Sequence, residues 1–222
     1  MKDTILLLTD SLALGRKQPE ALLLDDTWAF LLRSKLPNFE WLQLSLGGAT
    51  SSDLLAQSEY WLSSRRTVSW LIIQVGIVDC APRAFSRNEI IQQKALGLFT
   101  RFFPRCGKWI FERLRKYRKV SYVKADVFRE NVRAFRDVAR ERDIGLLWIP
   151  VLGAKFYERL LPGVTQRITE TNDILRQELG ASVLDVSLAD ECYMVDGHHL
   201  RQETHGYLAH AILKHIEQGR TP

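Results

Sequence analysis

Five short apolar, β-prone runs recur along this chain, separated by stretches that carry helical spacing. The runs fall at Thr4–Thr9, 41–46, 68–75, 144–152 and 182–186. Each is close to continuously apolar rather than alternating, which suits strands covered on both faces. Helical spacing occupies 27–35, where Trp28, Leu31 and Leu32 share a face and Pro37 ends the run, and 52–63, capped by Ser51 or Ser52 with Asp53 in the first turn. It returns at 126–142 (Val127, Asn131, Ala134, Phe135, Val138), at 166–179 (Ile168, Thr171, Leu175, Leu179, then Gly180), and at 206–217 (Leu208, Ala211, Ile212, His215). Strand and helix therefore alternate. The pattern predicts an α/β, three-layer sandwich around a five-stranded parallel sheet of flavodoxin-like, doubly wound order. In that architecture ligands gather beyond the carboxyl ends of the strands, so residues that directly follow strands carry the chemistry.

The segment 80–124 does not fit the alternation. It is too long for a strand-to-helix connection and reads as an insertion into a single domain spanning 1–222. From Arg101 to Lys124 it holds nine basic residues (Arg101, Arg105, Lys108, Arg113, Arg115, Lys116, Arg118, Lys119, Lys124) against one acid, Glu112. The whole chain is only +5, so what lies outside this +8 segment is slightly acidic. Apolar residues at 103, 106, 110, 114 and 117 make a stripe among the cations. Such a helix suits a lid over a site, contact with an anionic membrane or a lipid-linked glycan, or, as the weakest of the three, nucleic acid.

Composition is that of an ordinary globular chain, 46% hydrophobic and 26% charged. No apolar stretch nears the roughly 18 residues that a membrane span needs. The N-terminal run Ile5–Leu8 is too short for a signal-peptide core, which makes a cytoplasmic location the expectation, with peripheral contact at the inner membrane surface through the basic segment. Cys80, Cys106 and Cys192 are odd in number and far apart, so neither a disulfide framework nor a zinc site is expected. His205, His210 and His215 stand five residues apart, a poor spacing for one metal, and read as solvated or satisfied side chains.

Three strand ends remain. After the first run comes Thr9-Asp10-Ser11-Leu12. A serine at a sharp turn there can expose its hydroxyl and aim its own N–H at a developing oxyanion. After the second run comes Ser45-Leu46-Gly47-Gly48-Ala49, where glycine lets an amide approach a ligand. Ahead of the last helix comes Asp196-Gly197-His198-His199. An Asp three residues before a His in a turn can hold the imidazole in one tautomer, and a neutral imidazole is the right base for a serine hydroxyl. Asp10 and Asp79 read as braces of their loops. Along with Val78 and His198 they are candidates to line the pocket.

Taken together and in this order, these blocks resemble the SGNH (GDSL-type) hydrolase family. Thr9-Asp10-Ser11-Leu12 stands for the first block, Gly48 for the second and Asp196-x-x-His199 for the last; the resemblance covers residues 5 to about 216 outside the insertion. It implies Ser11 as nucleophile, His199 as base, Asp196 as its orienting partner, Ser11 and Gly48 amides at the oxyanion, and no cofactor or metal. Thr9 replaces the usual glycine. The third block, usually Gly-x-Asn-Asp, reads Gly76-Ile77-Val78-Asp79, so the asparagine that supplies an oxyanion donor is replaced by valine. Losing one donor costs roughly 3–4 kcal/mol of transition-state stabilisation. Asn88, another side chain of the insertion, or a further backbone amide are the candidates to stand in.

The resemblance implies a serine esterase acting on a small acyl ester, above all an O-acetyl group on a carbohydrate. The Gly-Ile-Val-Asp block and Thr27-Trp28 are similar to members associated with bacterial surface-polysaccharide biosynthesis. Two alternatives share the sequence: an O-acyltransferase using the same residues, and a non-catalytic glycan- or membrane-binding protein descended from an esterase.

Overall fold

A computed structural model describes residues 3–64, 67–118 and 120–219. Lys119 of the basic segment lies outside them. Four parallel strands, β1 (Thr4–Thr9), β2 (Glu40–Ser45), β3 (Val68–Gln74) and β4 (Gly145–Ile149), form one sheet in the order β2-β1-β3-β4. Along β1, Ile5 and Leu7 point to one face while Leu6 and Leu8 point to the other, and all four are buried. That is why the run is continuously apolar.

On the Ile5/Leu7 face lie α1 (Trp28–Lys35) and α9 (Gln202–Gln218), packed through Trp28, Leu32, Leu208 and Ile212. On the other lie α2 (Ser51–Ser64), α6 (Ala125–Glu141) and α8 (Val164–Leu179), which bury Leu54, Val132, Phe135 and Leu175 against Leu6, Leu71 and Trp148. Truncating a fully buried aromatic such as Phe135 to alanine costs about 3–5 kcal/mol. Two one-turn helices, α3 (Ile77–Cys80) and α7 (Tyr157–Leu160), follow β3 and β4.

The expected fifth strand is not formed. Val183 makes a single parallel bridge to Trp148, with the Leu184 N–H donating to the Trp148 carbonyl at 2.9 Å. Two residues on from Trp148, the next donor toward this edge falls on Pro150, which has no N–H, so the ladder ends there. The side chain of Asn172 covers both backbone groups of the following Val151.

The insertion is a helical hairpin, α4 (Ile90–Phe102) and α5 (Pro104–Arg118). Of the expected stripe, Cys106, Ile110, Leu114 and Tyr117 share one face of α5, but Phe103 falls outside it, because the helix breaks there. Proline disfavours the α region for the residue before it and is itself comfortable as the first residue of the next helix. The hairpin is anchored at its base: Phe111 meets Phe85 edge-on, and Arg118 pairs with Glu89 and donates to the Ala84 carbonyl.

Candidate active site

Sheet order reverses between β1 and β3, and the site lies beyond their carboxyl ends. Directly after β1, the Asp10 carboxylate accepts the Leu12 N–H at 3.0 Å and closes a 3-10 turn over Ser11–Ala13. Burial pushes Asp10 up to about 6. The Asp10 N–H is donated to the Gln74 carbonyl of β3, and the Thr9 hydroxyl pairs with Ser45 of β2 at 2.6 Å. Threonine in place of glycine is thus accommodated as a cross-strand link. Arg16 reaches back and donates to the Ser11 carbonyl at 2.5 Å. Burial lowers the Arg16 guanidinium, and the nearby carboxylates Asp196 and Asp10 oppose that shift.

The last loop delivers the histidine. Asp196 uses one carboxylate oxygen to accept the His199 N–H at 3.1 Å and the His198 N–H at 3.3 Å. Its other oxygen lies 2.5 Å from His199 Nδ1. A proton on Nδ1 satisfies that contact and leaves Nε2 as an acceptor, 3.1 Å from Ser11 Oγ. Burial alone would raise the Asp196 carboxyl, but the His199 side-chain and backbone hydrogen bonds and the two neighbouring imidazoles together outweigh it and hold the group well below the usual carboxylate range. The structure therefore brings Ser11, His199 and Asp196 into one hydrogen-bonded line.

His198 does not reach Ser11. It stacks on Tyr157 at 5.3 Å between centroids and lies 4.0 Å from the His199 ring. Burial, then the neighbouring His199, brings it down to about 4, so it is neutral at neutral pH. Gly197, at φ +80, makes this stack attainable, because a Cβ there would stand 2.7 Å from Tyr157 Cβ. Asp196, His198 and His199 offer three ligand-type atoms within 4.8 Å of one another, but His199 Nδ1 is already engaged with Asp196. His205 is fully buried and accepts the first N–H of α1, from Trp28.

Facing these groups is the loop after β2. Gly48 sits at φ +76, exposed, with nothing within 4 Å of where a Cβ would be. Among the described residues, neither the Ser11 nor the Gly48 amide donates to a protein acceptor. Asp79 ties its own turn to this loop: its carboxylate accepts from its own backbone N–H, from the Ser51 N–H at 2.9 Å and from the Ser51 hydroxyl at 2.5 Å. Asn131 of α6 donates in turn to Ser51 and Ser52. Burial raises Asp79 to about 6. Val78 is buried in an apolar cluster with Val151, Tyr157 and Val164, and presents only methyl groups. Asn88 is exposed and makes no hydrogen bond to Ser11 or Gly48. Cys80 is buried and its thiol is pushed up to about 12 by that burial, which leaves it inert.

No family model and no curated protein matches the chain. Solved structures do. A lipase/acylhydrolase from Enterococcus faecalis superposes with a TM-score of 0.65 at 17% identity, covering 97% of this chain and 96% of that one. An acetyl-xylooligosaccharide esterase from Geobacillus stearmophilus gives 0.63 at 16%, covering 96% and 94%. A GDSL-like lipase from Bacteroides thetaiotaomicron gives 0.57 at 12%, covering 98% and 89%. The chain has the SGNH, or GDSL, hydrolase fold.

On this GDSL frame the hairpin stands beside the site. Burial lifts the Tyr157 hydroxyl to about 12, and the charges of Arg83 and of Arg115 from α5 pull against that rise. A cleft of about 390 Å³ opens between α5 and the turn after Tyr157, lined by Trp109, Arg113, Arg115, Lys116, Arg159 and Leu160. A larger cleft of about 840 Å³ at Phe30, Arg33 and Trp41 holds no nucleophile paired with a base. Among the described residues, no helix is long and apolar enough to cross a membrane.

The sequence reading had missed Arg16, Tyr157 and Asn131 as parts of the site. Arg16 and Tyr157 carry no local signal. Asn131 did: it is a polar residue on an otherwise apolar helix face.

Proposed function

We propose that this chain is a serine esterase that hydrolyses a small acyl ester, an O-acetyl group on a carbohydrate above all. The observation that carries this reading is the line from Ser11 Oγ to His199 Nε2 at 3.1 Å and from His199 Nδ1 to Asp196 at 2.5 Å. Ser11 attacks the ester carbonyl while His199 takes its proton, and ionised Asp196 stabilises the imidazolium that forms. The free amides of Ser11 and Gly48 receive the oxyanion. His199 returns the proton to the departing sugar hydroxyl. It then activates water against the acyl-enzyme, which releases acetate and restores Ser11.

Support for the acyl class comes from the solved structures of the same fold, among them an acetyl xylan esterase and an acetyl-xylooligosaccharide esterase. The cations and Trp109 of the neighbouring cleft suit a polar, anionic glycan. With valine in place of a side-chain donor, turnover of simple esters is slower than in an enzyme with all three donors, by roughly two to three orders of magnitude. Acetate release from acetylated xylooligosaccharides and from p-nitrophenyl acetate tests the reading. Release by wild type that disappears in Ser11→Ala is expected; equal release by both contradicts it.

A further inference from the structure

The α4 helix presents an apolar face that stands exposed among the described residues. Ile91, Leu98 and Phe102 follow at i, i+7 and i+11, which places them within about 20° of one line along a helix. They are 81%, 59% and 69% exposed, Ala95 lies exposed between them, and Phe103 extends the row into the turn at 56% exposed. The body does not need this face. The helix packs chiefly on α5, where Gly107 closes tightly on Thr100.

Exposed cations rim the row. Lys94 and Arg101 stand beside it on α4, and Arg105 follows directly after the turn at Phe103. None of these three forms an ion pair among the described residues, whereas Arg118, at the hairpin's base, is paired with Glu89. A row of large apolar side chains bordered by unpaired cations matches the boundary of an anionic bilayer, with acyl chains for the row and headgroup phosphates for the rim. A second copy of this chain fits poorly, because joining two such faces would bring like charges together. At 13 residues, α4 is about 20 Å long and would lie in the interface rather than cross it.

We propose that the outer face of α4, with the cations of α4 and α5, docks this protein on an anionic lipid bilayer. The inference goes beyond the esterase reading and does not depend on it. It also moves the anchor: the apolar contact lies on α4, which begins eleven residues before the basic segment singled out in the sequence and overlaps only its start.

Co-sedimentation of the full chain with vesicles tests this directly. One set is phosphatidylcholine alone; the other contains roughly one third phosphatidylglycerol. Binding to the mixed vesicles should exceed binding to the neutral ones by about tenfold or more at low salt, and should weaken as salt rises. The variant Ile91→Ser/Leu98→Ser/Phe102→Ser removes only exposed side chains, so its thermal melt should match wild type while its vesicle affinity falls about tenfold or more. A charge variant, Arg101→Gln/Arg105→Gln, should lose the preference for anionic vesicles. The proposal is overturned if wild type ignores both vesicles, as it would if the face serves an acidic protein. Undiminished binding by the folded triple-serine variant overturns it as well.

Discussion

On the base side of the proposed site a hydrogen-bonded line runs from the Ser11 hydroxyl through His199 to Asp196; on its proposed oxyanion side the loop after β3 carries Val78, and the donors left are backbone amides. The base side is fixed redundantly. Asp196 is tied to two backbone N–H groups of its own turn, and His198 is stacked against Tyr157 behind His199. The oxyanion side is held at a distance, by the chain of contacts from Asp79 through Ser51 to Asn131. Proton transfer demands directional side chains, so that side cannot be thinned without loss. Oxyanion binding can rest on amides, which any residue supplies, and this is where the chain departs from the four-block pattern.

Breaking the base side should have the largest effects. His199→Ala is expected to lower kcat for acetyl-ester hydrolysis by roughly 10⁴-fold or more, with little change in KM. Asp196→Asn should cost about 10³- to 10⁴-fold, because the amide favours the wrong imidazole tautomer. Steady-state kinetics on p-nitrophenyl acetate read both. On the oxyanion side, Val78→Asn should raise kcat by up to about 10²-fold if a donor is what that side lacks. It places a polar amide in an apolar cluster, so its melting temperature should fall while its rate rises. A slower variant would show that the valine is not standing in a donor's position.

The smallest effect concerns the brace. Asp79 has its carboxyl raised from 3.8 to about 6 in the folded protein. Between those values the folded state binds more protons than the unfolded one. Its contribution is therefore fully present below about pH 4 and is lost as pH rises through 6. Asp79→Asn keeps an acceptor for Ser51 but cannot titrate. Melting curves across pH 4–7 should show wild type declining relative to this variant by up to about 3 kcal/mol, with hydrolysis altered only a few-fold. Parallel pH profiles would remove Asp79 as a buried, titrating brace.

Much of this was legible before any coordinates, for reasons that can be named. β1 could be read because both faces of the strand are covered, and the Asp-x-x-His spacing because a turn brings i and i+3 together. Other features were not. The 182–186 run looks like a strand, yet pairing stops at Pro150, a residue of a different run whose effect shows only once the two are neighbours. In α6 the periodicity places Asn131, Phe135 and Val138 toward the core, as the structure does, but it also admits Val127, which is exposed, and passes over Phe128 and Val132, which are buried. Pro104 ends the stripe of α5 at Cys106, so that Phe103, one residue before the proline, belongs to the preceding turn. Tyr157 meets His198 across forty residues of chain, and nothing local to either announces the contact.

The most direct test of Ser11 as nucleophile is labelling with a fluorophosphonate, followed by mapping of the modified peptide. One label per chain on Ser11, abolished in Ser11→Ala and strongly slowed in His199→Ala, is the predicted result. A folded wild-type protein that stays unlabelled, or carries the label on another residue, would contradict the account.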